Sequence, residues 1–332
     1  MASFEETGPR APVAESIRVD KVSPRARLFK NLRALTVLAL ALVGLIPVFA
    51  MGITAFKSRA AVVAVPPRLV FEPTLEGFVF LLTERSQLSG AALEAARENA
   101  EDLGLFERIA LANGQRINGP SDFVMRLRNS LIIAGGSTIA SVTLGLFAAY
   151  AFSRFGIPGK DDLLFFILST RMLPAVVVAV PLFLMYRQLG LHDTHLGMII
   201  LYTVFNLSLT VWLLKGFIDE IPREYEEAAL VDGYTRLQAF FKIVLPQATT
   251  GIAATTVFSF IFAWNEYAFA LMMTSNTART APPAIATMLG RGGIEWSAIA
   301  AGTLAFLIPV VIITFALRRH LLRGVTFGAI RQ

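Results

Sequence analysis

The sequence contains no cysteine and only three histidines. Disulfide bonds and thiolate metal sites are therefore excluded. His192 and His195 lie between two apolar runs, and we interpret them as a solvated pair and not as a metal site. Charged residues make up 16% of the chain, where soluble domains carry about 25%. Together with a mean hydropathy of +0.61, this scarcity of charge argues against a soluble protein and indicates a membrane protein.

Two catalytic motifs are also missing. The stretch Gly156–Lys160 is too short for a phosphate-binding G-x-x-x-x-G-K-[ST] loop and is followed by Asp161, and no G-x-S-x-G sequence is present. We therefore expect no enzymatic activity and no cofactor bound by this chain. The net charge of +6 does not indicate nucleic acid, because the basic residues lie mainly in tails and loops beside apolar runs.

Six apolar runs are long enough to cross about 30 Å of hydrocarbon. The first is longer than the core of a usual secretory signal and follows a basic tail, so we interpret it as a retained span. The predicted fold class is an all-α membrane protein with six transmembrane helices. The predicted spans are Leu35–Phe56, Ser130–Phe152, Leu163–Tyr186, Leu196–Phe217, Ala248–Met273 and Ser297–Leu317.

The spans divide the chain into a tail (1–34), a first helix (35–56), a long loop (57–128), a five-helix core (129–317) and a second tail (318–332). Basic residues set the orientation: segments 1–33, 153–161, 218–246 and 318–332 hold 16 Lys or Arg in 86 residues, whereas loops 187–195 and 273–296 hold 3 in 33. Since basic loops stay inside, both tails are predicted to be cytoplasmic.

The long external loop has helical character from Ser86 to Asn113, where Leu88, Ala92, Leu93 and Ala96 share one face. It is either a helical cap on the external face or a contact surface for another protein. The shorter external loop from Thr274 to Glu295 contains prolines and glycines. This composition suits either a stiff, protruding segment with a flexible tip or an ordinary ordered loop between two spans.

One polar segment between two apolar runs carries an unusual spacing. Glu227-Ala228-Ala229 is followed after three residues by Gly233 and, nine residues later, by Ile243-x-Leu245-Pro246. The triplet Glu94-Ala95-Ala96 is a control within the chain, because Ala100 stands at the glycine position and no Ile-x-Leu-Pro sequence follows. The full spacing is therefore specific where a triplet alone is not.

The same segment predicts two short helices joined by a turn. Pro222 and three glutamates suit the first turn of a helix, where the helix dipole favours negative charge. Gly233 can adopt the positive φ that ends this helix. Thr235 can cap a second helix, predicted over Thr235–Val244, and Pro246 marks its end.

This spacing resembles the cytoplasmic coupling loop of the membrane subunits of ABC importers, which docks onto an ATPase subunit. From about Asn129 onwards the layout resembles the carbohydrate (maltose/polyol-type) subfamily of these binding-protein-dependent permeases; Tyr234 departs slightly from the usual pattern, in which alanine often follows the glycine. The supporting stretches are Arg171-Met172-Leu173-Pro174, Tyr202-x-x-Phe205-Asn206-Leu207 and Phe262-Ala263-Trp264-Asn265-Glu266-Tyr267.

The resemblance implies roles within the coupling loop, residues 219–246. Glu227 would be the charged contact to the ATPase, Ala228 and Ala229 the close-packing face, and Gly233 the pivot. The expected ATPase-coupling residues are Glu227, Ala228, Ala229, Asp232, Gly233, Ile243, Leu245 and Pro246.

The resemblance also implies an assembly at the bacterial inner membrane. The chain would pair with a second, homologous permease, two ATPase subunits that bind ATP and Mg²⁺, and a periplasmic solute-binding protein. It would import a small sugar or polyol by alternating access and would not itself be an enzyme. Alternatives are an ABC importer of a non-carbohydrate solute, a membrane scaffold or enzyme without an ATPase, and a secondary transporter.

Polar residues inside the predicted spans are candidates for the substrate path, because a charge at mid-bilayer costs about 2.5–3.5 kcal/mol and must face an interior or water. A sugar needs hydrogen-bonding groups and an aromatic face. Structural explanations stay open: Asn206 can bond a neighbouring helix, and Arg171 can pair with Glu266 or bond carbonyls freed by Pro174. The candidates are Arg171, Asn206, Trp264, Asn265, Glu266 and Tyr267.

Overall fold

The computed structural model describes residues 24–68, 70–290 and 293–327, so residues 1–23 and 328–332 of the predicted tails lie outside the described residues. Residues 318–327 of the second predicted tail continue the last helix. Helices dominate these ranges, and the chain divides into two units, residues 1–50 and 51–332. Four described helices are long and apolar enough to cross a membrane, or six spans result if each of two bent helix pairs counts as one. The predicted all-α membrane fold is confirmed.

The first unit consists, in its described part, of one helix. This helix, α1 (Pro24–Ala55), continues a few residues into the second unit. Its apolar stretch from Phe29 to Ala55 passes as a membrane span by length and composition. The helix therefore begins before the predicted boundary at Leu35.

The segment after α1 folds into short helices and a two-stranded antiparallel sheet. Ser86 on one strand lies opposite Arg116 on the other. The elements are α2 (Arg59–Val62), α3 (Glu76–Leu82), β1 (Thr83–Gln87), α4 (Ala91–Glu98), α5 (Leu105–Ala112) and β2 (Gln115–Pro120).

The predicted helical character from Ser86 to Asn113 is confirmed for most of this stretch, but it is divided between separate helices. The residues form the end of β1 and two separate helices, α4 and α5, with a short 3₁₀ turn at Ala100–Asp102 between them. Gly104 begins α5 through its backbone N–H, which donates to the Glu107 carboxylate at 2.9 Å. No residue of α4 is buried, so its predicted apolar face does not pack into a core.

The rest of the second unit is a bundle of long and interrupted helices, with one antiparallel pair of two-residue strands. Its elements are α6 (Phe123–Arg154), α7 (Lys160–Ser169), α8 (Ala175–Gln188), α9 (His195–Asp219), α10 (Glu224–Val231), α11 (Arg236–Ala239), α12 (Leu245–Gln247), α13 (Thr249–Trp264), α14 (Ala268–Met273), α15 (Ala281–Ala286), β3 (Leu289–Gly290), β4 (Gly293–Ile294) and α16 (Trp296–Phe327).

Helices α6 and α9 share the most extensive contact between described helices, and small residues let their backbones approach. A Cβ placed on Gly145 of α6 would lie 2.5 Å from Cγ2 of Thr210 on α9. A Cβ on Gly136 would similarly lie 2.9 Å from Cδ1 of Ile199. These glycines therefore fix how close the two helices lie.

Two predicted spans are interrupted. The predicted third span, Leu163–Tyr186, is bent by 90° between Lys160–Met172 and Ala175–Gln188. The backbone is extended at Leu173 and Pro174, as expected when a residue precedes proline. The predicted fifth span, Ala248–Met273, is likewise not one helix, because α13 ends at Trp264 and α14 begins at Ala268.

Candidate functional site

The segment with the Glu-Ala-Ala spacing forms two helical arms at one end of the bundle. We call residues 222–247 the elbow. Its first arm is α10, which is followed by Gly233 with φ of +89°, a value that glycine adopts readily. Thr235 begins the second arm through a capping box with Gln238, in which each side chain accepts the other residue's backbone N–H.

The second arm extends further than predicted, because the helix does not end before Pro246. After α11 the helix continues through a π-helical turn, Phe240–Val244, into α12, and Pro246 lies in the first turn of α12. The direction changes beyond Gln247, where the axis bends by 75° into α13.

The elbow presents a mixed surface to its surroundings. Glu227, Ala228, Asp232 and Gly233 are exposed, and large apolar side chains surround them. An exposed apolar patch of this kind on a membrane protein's polar end indicates a protein contact. The exposed apolar side chains are Tyr225, Val231, Leu237 and Phe241, at 55%, 87%, 61% and 47%.

Ala229 does not belong to this surface. It is 5% exposed and faces the chain itself, which corrects its predicted place on a close-packing face for another protein. Ile243 and Leu245 are half-buried, and Leu245 packs on the cluster around Phe240, so both support the elbow. Pro246 is exposed.

Glu226 was predicted only as one of the three glutamates in the first turn of the helix, yet its side chain makes more described bonds than any other in α10. Its carboxylate accepts a hydrogen bond from the Tyr150 hydroxyl at 2.9 Å and forms an ion pair with Arg154. Tyr150 and Arg154 belong to the last turns of α6. Only the doubled glutamate, Glu226-Glu227, hinted in sequence that one of the two faces inward.

A second candidate site is a cavity of about 300 Å³ within the bundle. It lies between the α7–α8 break, α9 and the end of α13, so helices distant in sequence bring its polar residues together. Three of the six candidate path residues, Arg171, Asn206 and Glu266, line it. Tyr202, Phe205, Phe262 and Phe269 supply aromatic walls that were not predicted as path residues.

Arg171 faces this cavity without an acidic partner among the described residues, so the alternative of a pair with Glu266 is wrong. Its guanidinium stacks on the Phe262 ring, 4.3 Å from the centroid, and Nη1 donates to the Phe205 carbonyl at 3.3 Å. Such stacking suits a guanidinium, which is more weakly hydrated than an ammonium group. The cation is held in place but keeps donors for a ligand.

Glu266 has a structural task beside the cavity. Its carboxylate accepts from the Tyr202 hydroxyl at 2.7 Å and from the backbone N–H groups of Phe269 and Ala270 at 2.8 and 3.0 Å. It thereby caps α14, where the helix dipole favours a negative charge. Asn206 donates to the Ser259 carbonyl at 3.2 Å and so ties α9 to α13, one of the structural explanations raised above.

The other three candidates do not line the cavity. Trp264 is 1% exposed and stacks between Phe260 and Phe306, and its indole N–H donates to the Phe306 carbonyl at 3.1 Å. Asn265 is exposed and donates to the Ile261 carbonyl at 2.8 Å, and Tyr267 is 41% exposed. The structure therefore does not bring these three residues to the cavity beside Glu266, and their place on a substrate path stays a prediction.

The end of the bundle opposite the elbow, here the far end, is held by polar bonds to residues 274–281, the far-end segment. The Asp193 carboxylate accepts four backbone N–H groups, from Ser275, Asn276, Thr277 and Ala278, at 3.0–3.1 Å. Burial raises the pKa of Asp193, but these four bonds outweigh it and lower the pKa to about 2.

Asn129 and Ser130, near the start of α6, complete this clamp. Asn129 Nδ2 donates to the carbonyls of Thr277 and Arg279 at 2.9 and 3.0 Å, and the Ala281 N–H donates to Ser130 Oγ at 2.9 Å. His195 Nε2 lies 2.8 Å from Asn129 Oδ1, so the expectation of a solvated histidine pair is wrong for His195.

The described residues contain no group of three or more His, Asp or Glu able to hold a metal ion. The cavity instead offers a guanidinium, an amide, a phenol and a carboxylate between aromatic faces. Hydroxyl groups of a ligand can form hydrogen bonds with these four polar groups, and an apolar C–H face of the ligand can pack on the aromatic rings. The arrangement suits binding and passage of a polar solute.

Comparison with known proteins gives a consistent result. Residues 141–327 match the family described as "Binding-protein-dependent transport system inner membrane component". A probable ABC transporter permease protein, y4oR of Sinorhizobium fredii, is 30% identical over 88% of this chain and 92% of its own length. The trehalose transport system permease protein SugB of Mycobacterium tuberculosis is 39% identical over 63% of this chain and 77% of its own.

A solved structure has the same fold. It is the crystal structure of a bacterial ABC transporter involved in the import of the acidic polysaccharide alginate, one chain of which superposes with a TM-score of 0.61. The match covers 90% of this chain and 98% of that one at 20% identity.

Proposed function

Since the chain belongs to the family of binding-protein-dependent transport system inner membrane components, we propose that it imports a sugar or a sugar-like solute. It is a multi-pass permease subunit of an ABC importer, that is, a transport component and not an enzyme. Relatives named for trehalose, trehalose/maltose and diacetylchitobiose uptake support the sugar. The polar and aromatic cavity around Arg171 and Tyr202 supports it independently.

The proposed assembly contains this chain, a second homologous permease, two ATPase subunits and a solute-binding protein. ATP and Mg²⁺ bind the ATPases. The elbow lies on the cytoplasmic side of the inner membrane, and the far end faces the periplasm. The excess of basic residues in the tails and in loops 153–161 and 218–246 supports this orientation.

The exposed elbow is the observation that carries the proposal of ATPase coupling. Glu227 projects from a surface of exposed apolar side chains, and Gly233 sets the angle between its two arms. Closure of the ATPases on ATP would push this surface. The helices that continue from it, α9 and α13, also wall the cavity, so the cavity would open alternately outward and inward.

A pull-down tests the coupling. The tagged chain is purified from its host in mild detergent, with Glu227→Arg and Gly233→Pro alongside, and its partners are identified by mass spectrometry. Glu227→Arg reverses the exposed charge, and Gly233→Pro imposes φ near −65° where the chain has +89°. We expect the recovered ATPase to fall at least about tenfold in both variants.

Glu94→Arg is the matched control, because Glu94 begins the other Glu-Ala-Ala triplet, on the exposed helix α4. It should recover the ATPase like the unmodified chain. A wild-type chain that purifies without an ATPase, or an ATPase retained equally by all variants, would contradict the proposed coupling.

A further inference from the structure

The inward-facing side of α10 carries a buried ion pair. The side chains of Arg154 and Glu226 are only 5% and 8% exposed, and Arg154 Nε donates to Glu226 Oε1. Tyr150 donates to the other carboxylate oxygen at 2.9 Å. The first arm of the elbow is thus bonded directly to the last turns of α6, on the side opposite its exposed contact surface.

The rest of the Arg154 guanidinium extends this joint. Nη2 donates to the Ile221 carbonyl at 2.9 Å, just before the elbow, and Nη1 donates to Ser153 Oγ at 3.1 Å. Arg223 in turn donates to the Ser153 carbonyl at 2.6 Å, and Ser153 Oγ donates to Asp219 at the end of α9. A planar guanidinium donates in fixed directions, so its hydrogen bonds fix the position of α10 relative to α6. An apolar contact is not directional and would let the two helices shift against each other.

Aromatic rings fasten the second arm to the same helix. The Phe240 ring lies 4.7 Å from the Tyr150 ring and 5.5 Å from the Phe147 ring, measured between centroids. Phe240 belongs to the π-helical turn and is 1% exposed. Both arms of the elbow therefore meet α6 within its last two turns.

Helix α6 continues without a break to the far end. It has 32 residues and contains no proline, so it spans about 48 Å at 1.5 Å per residue. Near its start, Asn129 and Ser130 hold the far-end segment through the carbonyls of Thr277 and Arg279 and the N–H of Ala281. One uninterrupted helix thus joins the elbow to the opposite end of the bundle.

We propose that the Arg154–Glu226 pair is a positioning pair that makes α6 follow the elbow, so that ATPase closure is relayed to the far-end segment. This inference rests on the proposed function, because it requires an ATPase at the elbow. The pair touches no substrate and acts by fixing α10 to α6. Removing one partner leaves a buried charge uncompensated, whereas removing both charges loosens the joint without that penalty.

The test uses the assembled importer in proteoliposomes with the double variant Glu226→Gln/Arg154→Gln. Because the chain has no cysteine, Ser275→Cys, an exposed position of the far-end segment, introduces its one thiol. The labelling rate of this thiol by an impermeant maleimide is measured with and without ATP and vanadate. Solute uptake, basal ATP hydrolysis and ATPase recovery are measured in parallel.

We expect ATP and vanadate to change the labelling rate several-fold in the parent and to leave it nearly unchanged in the double variant. Uptake should fall about tenfold, within the usual range of coupling between sites. Basal ATP hydrolysis and ATPase recovery should stay close to the parent values. Asp162→Asn is the control, because it removes an exposed charge in the first turn of α7 at the same end, and it should behave like the parent.

Three results separate the possibilities. A double variant with parental uptake and parental nucleotide-dependent labelling would overturn the relay. Loss of ATPase recovery in the double variant would also overturn it, since the pair would then only maintain the fold of the elbow. A parent complex without an ATPase would instead overturn the proposed function.

Discussion

Asp193 shows how one carboxylate can hold two segments of a membrane protein together outside the membrane. It lies between α8 and α9 with φ of +55°, and its two oxygens gather four consecutive N–H groups of the far-end segment. Because its pKa of about 2 is below the ordinary value of 3.8, this carboxylate stabilises the fold fully above about pH 4. The stabilisation is lost as pH falls towards 2.

We expect Asp193→Asn to destabilise the protein near neutral pH. The amide has one acceptor oxygen in place of two and directs an NH₂ group at backbone donors. After allowance for solvent screening of this partly exposed group, the cost is about 1–2 kcal/mol. Thermal unfolding of the detergent-purified protein at pH 7 and at pH 3 measures it.

The difference in unfolding midpoint between the parent and Asp193→Asn should narrow at pH 3. Asp161→Asn, an exposed aspartate in the first turn of α7, should leave the midpoint unchanged at both values. A difference that stays constant with pH would rule out the charge as the source of the stabilisation.

At the residue scale, burial leaves polar groups few options, and the role of the candidate residues in a substrate path stays a prediction. Arg171, Asn206 and Glu266 gather at one cavity because polar groups in apolar helices must face an interior. Trp264 lies away from this cavity because an indole N–H is satisfied equally well by a backbone carbonyl, here that of Phe306. Tyr202 was missed because one aromatic residue in an apolar run looks the same whether it lines a cavity or fills a core.

Among the elements, the interrupted helices α7 and α8 determine where Arg171 lies. The break at Leu173–Pro174 turns the chain by 90° and brings Arg171, in the short 3₁₀ turn before it, to the cavity wall. Pro181 lies inside α8 without ending it. The different outcomes at the two prolines reflect local context, since backbone groups freed by a proline can be satisfied by neighbours.

We predict that Pro174→Ala lowers solute uptake about tenfold while the ATPases remain bound. Without the ring, Leu173 is free to become helical, α7 and α8 can merge, and Arg171 leaves the cavity wall. Uptake by proteoliposomes is the measurement, and Pro181→Ala is the matched control, expected to transport normally. Equal uptake by both variants and the parent would show that the break does not depend on Pro174.

Sequence patterns predicted where the elements lie better than how they are divided. Strands β1 and β2 were missed because Thr83–Gln87 is polar and shows no apolar alternation, and its partner is a distant segment. The elbow was predicted as two arms because glutamates, glycine and threonine each mark a helix terminus. Its second arm runs past the predicted end, because the chain stays helical through Leu245–Gln247 and bends only beyond Gln247.

In the whole molecule, the segments predicted to lie on the two sides of the membrane differ in their content of basic residues, and that difference predicts the orientation of the chain. Val231 on the elbow is 87% exposed, and Asn276 of the far-end segment is also exposed. Neither side chain has a described hydrogen-bonding or ionic task, so each can be replaced by cysteine in this cysteine-free chain. The two positions lie at opposite ends of the second unit.

In intact spheroplasts, an impermeant maleimide should label Asn276→Cys and spare Val231→Cys. Permeabilisation should make Val231→Cys reactive, because the positive-inside rule places the elbow in the cytoplasm. The unmodified chain, which has no thiol, is the background control. Labelling of Val231→Cys before permeabilisation would reverse the orientation and remove the elbow from any cytoplasmic ATPase.

The close approach of α6 and α9 limits where this bundle can open. At Gly145 there is no room for a methyl group beside Thr210, so neither lipid nor water can enter between the two helices there. We therefore expect α6 and α9 to move together as one rigid pair. Any separation during a transport cycle is then expected to occur at other contacts of the bundle, such as those against the broken helices α7 and α8. A small molecule bound at these contacts is expected to block the cycle.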